Sequence, residues 1–277
     1  MRSPDKLSLK FWGVRGSIPT LAPENMTYGG NTACLEIRVP SGEIIIIDGG
    51  TGVFPLGRSL MLEAAGEPLD VHLFLTHFHW DHIQGIPFFQ PMFSQDNKVR
   101  FYSVYPPGTA RAVLKGQMSV PYSPMDFDNL PARLEFVDVL KGEIHLGGAR
   151  ITSFPLYHPQ GCSGYRLEYG TSVIVVASDL EHGMPFYDCK LIEAAQDADV
   201  LVFDAQFTPE EYEVRRGWGH STWLEATRVA RLAGVKRVDL FHHAPEHDDL
   251  ALGKILIEAR QEFPETSIAS EGQTILC

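Results

Sequence analysis

The chain has 277 residues, 44 % of them hydrophobic and 21 % charged, ordinary values for a globular protein. No run of about 18 apolar residues offers a membrane span, and residues 1–6 lack the apolar stretch of a secretory signal, so a cytoplasmic location is expected. With 35 acidic against 23 basic residues and a net charge of −12, a long nucleic acid is a poor match for its substrate, since such binders carry a basic face; a local basic patch would escape this count. A small anionic substrate is compatible with that charge, because bound metal ions bring positive charge of their own. Cys34, Cys162, Cys189 and Cys277 lie far apart without a C-x-x-C pair and read as reduced thiols.

In chain order, residues 7–14 form a first strand that ends in the turn Gly13-Val-Arg-Gly16. A hairpin follows, with strands over 34–39 and 43–47 around Pro40-Ser-Gly42. The β-branched run Ile44-Ile-Ile-Ile47 suits a strand buried on both faces. It leads into Asp48-Gly-Gly-Thr-Gly52, a loop able to bring backbone close to a site. A helix over 55–65, a strand over 71–75, a strand over 99–104 and a helix over 108–118 come next. Residues 121–128 are a loop whose Tyr122 and Phe127 either shape a base- or sugar-sized pocket or serve as surface packing. Strands are predicted over 134–139, 150–156, 165–169 and 172–177. Helix and strand then alternate: 185–196, 200–204, 222–233, 237–241 and 250–262. With no repeat or linker, one α/β domain over 1–277 is the expectation.

The strongest chemical signal is Thr76-His77-Phe78-His79-Trp80-Asp81-His82, four potential metal ligands directly after an apolar strand. In extended chain His77 and His79 share a face. If a helix then starts, Asp81 and His82 sit in its first turn. Ligands can thus face two neighbouring points, and two metals roughly 3.5–4 Å apart are a known clamp for ester hydrolysis.

Here the chain resembles the metallo-β-lactamase superfamily, whose H-x-H-x-D-H motif it matches in full. The resemblance implies an αββα sandwich of two mixed sheets with helices outside. It implies further ligands at His158 in Leu156-Tyr-His158-Pro, Asp179 in Val175-Val-Ala-Ser-Asp179, and His242 in Asp239-Leu-Phe-His242. The neighbouring His243 remains an alternative to His242. The implied coordination puts His77, His79 and His158 on one metal, and Asp81, His82 and His242 on the other. Asp179 and a water or hydroxide would bridge them. Nitrogen and oxygen donors suit zinc, and also manganese or iron. His72, His145, His182, His243 and His247 are assigned to packing or solvent.

Gly219-His220-Ser221-Thr222 resembles a block of the ribonuclease Z and phosphoribosyl cyclic phosphate phosphodiesterase branch. There the histidine contacts phosphate and assists the leaving group. Val202-Phe-Asp204-Ala-Gln-Phe207 resembles the acidic block of the same branch. This makes His220, Asp81 and Asp204 the catalytic candidates. His220, Ser221 and Arg15 are the substrate-binding candidates; a helix cap at Ser221 and a structural ion pair at Arg15 are the alternatives. The expected activity is hydrolysis of a small phosphodiester, a cyclic nucleotide or cyclic sugar phosphate. Ribonuclease Z-like processing of transfer RNA and a glyoxalase II-like thioesterase are the alternatives. The chain has no long glycine- and proline-rich basic arm of the kind that grips transfer RNA. A homodimer is compatible with this branch.

Overall fold

The computed structural model describes residues 6–139 and 143–277; of the N-terminal stretch examined for a signal, only Lys6 falls among them. One sheet contains β1 (Ser8–Gly13), β2 (Cys34–Arg38), β3 (Ile44–Ile47), β4 (Asp70–Phe74), β5 (Lys98–Ser103) and β6 (Arg133–Asp138). The second contains β7 (Glu143–Leu146), β8 (Ala149–Leu156), β9 (Cys162–Tyr169), β10 (Ser172–Ala177), β11 (Val200–Asp204), β12 (Val238–Phe241) and β13 (Thr266–Ile268). The chain then crosses back, and β14 (Thr274–Leu276) pairs with β1.

Hydrophobic alternation explains the layers. Ile45 and Ile47 point between the sheets and meet Ile174, Val176 and Val202 there. Ile44 and Ile46 point outward, under the helix Val53–Ala64. On the other sheet Val175 and Ala177 face outward, beneath the helices Pro185–Ala195, Trp223–Ala233 and Asp249–Glu262. Each buried isoleucine or valine contributes roughly 1.5–3 kcal/mol of hydrophobic stabilisation. The result is helix, sheet, sheet, helix, the αββα arrangement expected.

Strand direction places the chemistry. β3 to β6 run parallel, as do β10 to β13, while β8, β9 and β10 alternate. The C-terminal ends of β3, β4, β8, β10, β11 and β12 therefore gather along one edge of the sandwich. Near that edge the Tyr165 hydroxyl donates to the carbonyl of Leu75 at 2.7 Å, tying one sheet to the other.

Among the elements not anticipated are β7, β13, β14 and the short helix Pro209–Glu213. β13 and β14 have three residues each, too few for a period of two to show. The helix Pro209–Glu213 starts with a capping box between Thr208 and Glu211. In the 121–128 loop Phe127 is buried against Phe136, while Tyr122 is exposed; Phe127 is a core residue and not a pocket wall.

Candidate metal centre

The first motif leaves β4 through Thr76 and enters the one-turn helix Trp80–Ile83, with Asp81 and His82 on its inner side. His77, His79 and His158 offer one set of donors, and Asp81, His82, Asp179 and His242 a second. In the first set His158 Nε2 lies 3.0 Å from His79 Nδ1. Asp179 stands between the sets. Its Oδ1 is 3.9 Å from His77 Nε2 and 3.8 Å from His158 Nε2, while its Oδ2 is 3.0 Å from His82 Nε2 and 3.4 Å from His242 Nε2. Asp81 Oδ2 closes the second set, 3.1 Å from His242 Nε2 and 3.4 Å from His82 Nε2. Donors about 2.0–2.2 Å from one tetrahedral ion stand roughly 3.3–3.6 Å apart, so both sets are spaced to hold a divalent ion. The structure brings His242 into the cluster, while His243 turns away and donates through Nε2 to the Ala269 carbonyl.

Hydrogen bonds on the far side of the His77, His79, His82 and His158 rings aim the free lone pairs inward. His82 Nδ1 donates to Asp48 Oδ2 at 2.7 Å, His158 Nδ1 to the Gly219 carbonyl at 2.7 Å, and His79 Nε2 to Gln160 Oε1 at 2.7 Å. The Thr76 hydroxyl donates to Asp48 and accepts from His77 Nδ1 at 3.0 Å. That leaves His77 Nε2 buried with no hydrogen-bond partner, as a nitrogen awaiting a metal must be. Asp48, Asp179 and His242 all adopt left-handed backbone, with φ of 62°, 59° and 61°. Each ends a parallel strand, and the sharp turn swings its side chain into the cluster. Such conformations cost on the order of 1–3 kcal/mol each and concentrate at functional sites.

The electrostatics agree. Burial alone pushes the Asp179 carboxyl upward, yet His242 and His82 hold it well below the usual carboxylate range. Burial opposes charge on His82 as well, but Asp179, Asp81 and Asp48 raise it well above an ordinary histidine. His242, under the same opposition from burial, is pushed up to about 9 by Asp179 and Asp81. The carboxylates thus demand positive charge at this point, which a divalent cation supplies while releasing protons. His77 and His158, by contrast, are lowered chiefly by burial and are kept as neutral donors.

Beside the cluster His220 stacks over the His242 ring, with centroids 5.0 Å apart, and donates through Nδ1 to Asp204 Oδ2 at 2.8 Å. Asp204 is fully buried and also accepts from the backbone N–H groups of Asp179, Gln206 and Ser221. It touches no substrate space and acts by holding His220. His220, Phe207 and Ser17 help line an open cleft of about 320 Å³, and the Ser17 N–H donates to Asp81 Oδ2 at 2.7 Å.

Two expected substrate contacts are corrected. Ser221 is fully buried, its hydroxyl bonded to His182 Nδ1 at 2.8 Å, and the helix cap is Thr222. Arg15 is also fully buried. Its guanidinium donates to the carbonyls of Gly29, Ala244 and His247, clamping the N-terminal segment to the loop after β12. Sequence reasoning missed Asp48, Gln160 and Glu181. Asp48 carried a signal, since it follows an apolar strand in the same way as Asp179. Gln160 and Glu181 carried none, because an amide or carboxylate in a loop is ordinary.

Residues 44–243 match the family profile described as the β-lactamase superfamily domain. The chain is 25 % identical over 314 aligned positions to ribonuclease BN of Escherichia coli O6:K15:H31 (strain 536 / UPEC), covering 96 % of this chain and 98 % of that one. Its fold is similar to that of the metallo-β-lactamase fold protein YhfI from Bacillus subtilis, with a TM-score of 0.73, 19 % identity and 99 % and 100 % of the two chains covered. It is also similar to that of a diphosphatase from the PhnP family, with a TM-score of 0.66, 18 % identity and 97 % of each chain covered. Profile, fold and a paired His/Asp cluster agree: the chain is an enzyme of the β-lactamase superfamily of metallo-hydrolases.

Proposed function

We propose that this enzyme hydrolyses a small phosphodiester, a cyclic nucleotide or cyclic sugar phosphate, at a centre of two divalent cations. The observation that carries the reading is the His220–Asp204 pair set against the metal cluster. His77, His79 and His158 would hold one ion, and Asp81, His82 and His242 the other, with Asp179 shared. Zinc suits these nitrogen and oxygen donors, and manganese and iron suit them too. When bound, the cations supply the charge that polarises the phosphoryl group and acidifies a water. Asp204 fixes the tautomer of His220 by accepting a hydrogen bond from Nδ1–H, which leaves Nε2 to serve the substrate. In its protonated form His220 gives a proton to the leaving oxygen as the phosphorus–oxygen bond breaks and water's oxygen joins phosphorus.

A second reading, cleavage of an RNA precursor, is favoured by the likeness to ribonuclease BN over nearly the whole chain. The net charge of −12 weighs against a long polyanion. The test is a panel of cyclic nucleotides, cyclic sugar phosphates and a transfer RNA precursor, offered to protein loaded with zinc, manganese or iron. Turnover of the small diesters is expected, with His220→Ala lowering kcat by about 10²–10⁴ at unchanged metal content. Equal rates for wild type and His220→Ala would remove the acid role. Turnover of the RNA alone would replace the first reading by the second.

A further inference from the structure

The cleft beside His220 is walled on one side by the strap that runs from β11 to the helix Trp223–Ala233. This strap is anchored more firmly than a surface loop needs to be. The buried carboxylate of Glu181 accepts from the Tyr212 hydroxyl at 3.1 Å, from Gly217 N–H at 2.7 Å and from Gly219 N–H at 2.9 Å. At the start of the strap, Glu211 caps Thr208 and receives His247 Nε2 at 3.0 Å.

Besides Gln206, Phe207 and His220, the anchored strap presents Arg215 and Trp218 to the cleft. Among the described residues Arg215 is the only lysine or arginine lining it, in a chain whose net charge is −12. Its guanidinium lies over the Phe207 ring at 5.1 Å, and Phe207 in turn meets His220 edge-on at 5.9 Å. The nearest carboxylate oxygen, Glu211 Oε1, stands 3.9 Å away and is engaged by His247, while Thr208 N–H donates to the other oxygen of that carboxylate. Arg215 is thus held in place by an aromatic face and keeps a planar fork suited to a phosphate or carboxylate. Trp218 is 61 % exposed, a large aromatic surface on which a planar ring can stack. Glu246 also lines the cleft, and its charge opposes an extended polyanion.

We infer that this cleft binds the leaving half of the substrate and selects leaving groups that join a planar ring to one anionic group, as a nucleotide does. The inference rests on the phosphodiesterase reading, because His220 then marks where the leaving oxygen sits, and it narrows that reading to diesters that carry a second anionic group beyond the phosphate being cut. Arg215 takes the anionic group, Trp218 takes the ring, and the leaving oxygen lies at His220 between them and the metal cluster.

Calorimetric titration of the full chain as purified, with AMP, adenosine and ribose 5-phosphate, tests this without turnover. AMP is expected to bind about tenfold or more tighter than either fragment. Arg215→Ala should weaken AMP about tenfold or more and erase its advantage over adenosine, with Arg215→Lys restoring part of it. Trp218→Ala should weaken AMP and adenosine together and leave ribose 5-phosphate unchanged. Melting curves that match the wild type show that the variants are folded. AMP binding no tighter than adenosine, or insensitive to Arg215→Ala, overturns the assignment. Failure of the metal-loaded wild type to hydrolyse bis-p-nitrophenyl phosphate would instead sink the phosphodiesterase reading, so the two outcomes are distinct.

Discussion

His158 donates through Nδ1 to the carbonyl oxygen of Gly219 at 2.7 Å, so a metal-site imidazole takes its orientation from the residue directly before His220. Glu181 holds the N–H of the same glycine at 2.9 Å. One buried carboxylate therefore sets the strap, and the strap sets both His158 and His220.

Gly219→Ala should expose this coupling. Gly219 has φ of 88°, and a Cβ there would lie 2.4 Å from His158 Nδ1 and 2.3 Å from Pro159 Cδ. The added methyl must push His158 off its hydrogen bond. Metal affinity is expected to fall by about 10–100-fold, the usual effect of losing a group that orients a ligand, as read by calorimetric metal titration. Unchanged affinity would show that His158 does not depend on this carbonyl.

Asp48→Asn tests the other side of the cluster. Asp48 Oδ2 accepts from both His82 Nδ1 and the Thr76 hydroxyl, and Oδ1 accepts from Thr76 N–H. An amide nitrogen facing either donor removes an acceptor and reverses the local polarity. Metal retained after dialysis against a weak chelator should drop from two ions per chain toward one, with affinity lowered by about 10–100-fold. Two ions held as tightly as in the wild type would refute the role given to Asp48.

Asp204→Asn separates holding His220 from holding the backbone. Both oxygens of Asp204 accept from N–H groups, so either amide orientation turns a donor toward a donor. Stability is expected to fall by about 1–3 kcal/mol, and kcat on a phosphodiester by about tenfold or more, as positioned acid catalysis requires. A stability loss with kcat intact would reduce Asp204 to a structural residue.

Arg15→Met addresses the corrected contact. The substitution strips the carbonyls of Gly29, Ala244 and His247 of a charged donor, a loss of roughly 3 kcal/mol. Scanning calorimetry should show a Tm lower by roughly 6–12 °C, with KM of the folded enzyme unchanged. A raised KM at unchanged Tm would return Arg15 to the substrate.

The residues that converge on the candidate metal cluster were legible in the linear chain because each couples a specific chemistry to a strand end. His77, His79, Asp81 and His82 form one dense block, and His158, Asp179 and His242 each follow a run of apolar residues. Periodicity located those strands, and strand direction gathers their ends on one edge. The fate of a polar side chain outside such a block depends on partners that sequence order does not reveal. Arg15 meets the carbonyl of His247, 232 positions away, and Ser221 meets His182, 39 positions away; both are buried by packing that no local pattern encodes. The same holds for Asp48, Gln160 and Glu181. Each is a common residue type whose role begins only when the fold sets it against an imidazole ring or the strap, where a buried polar group must find its partner.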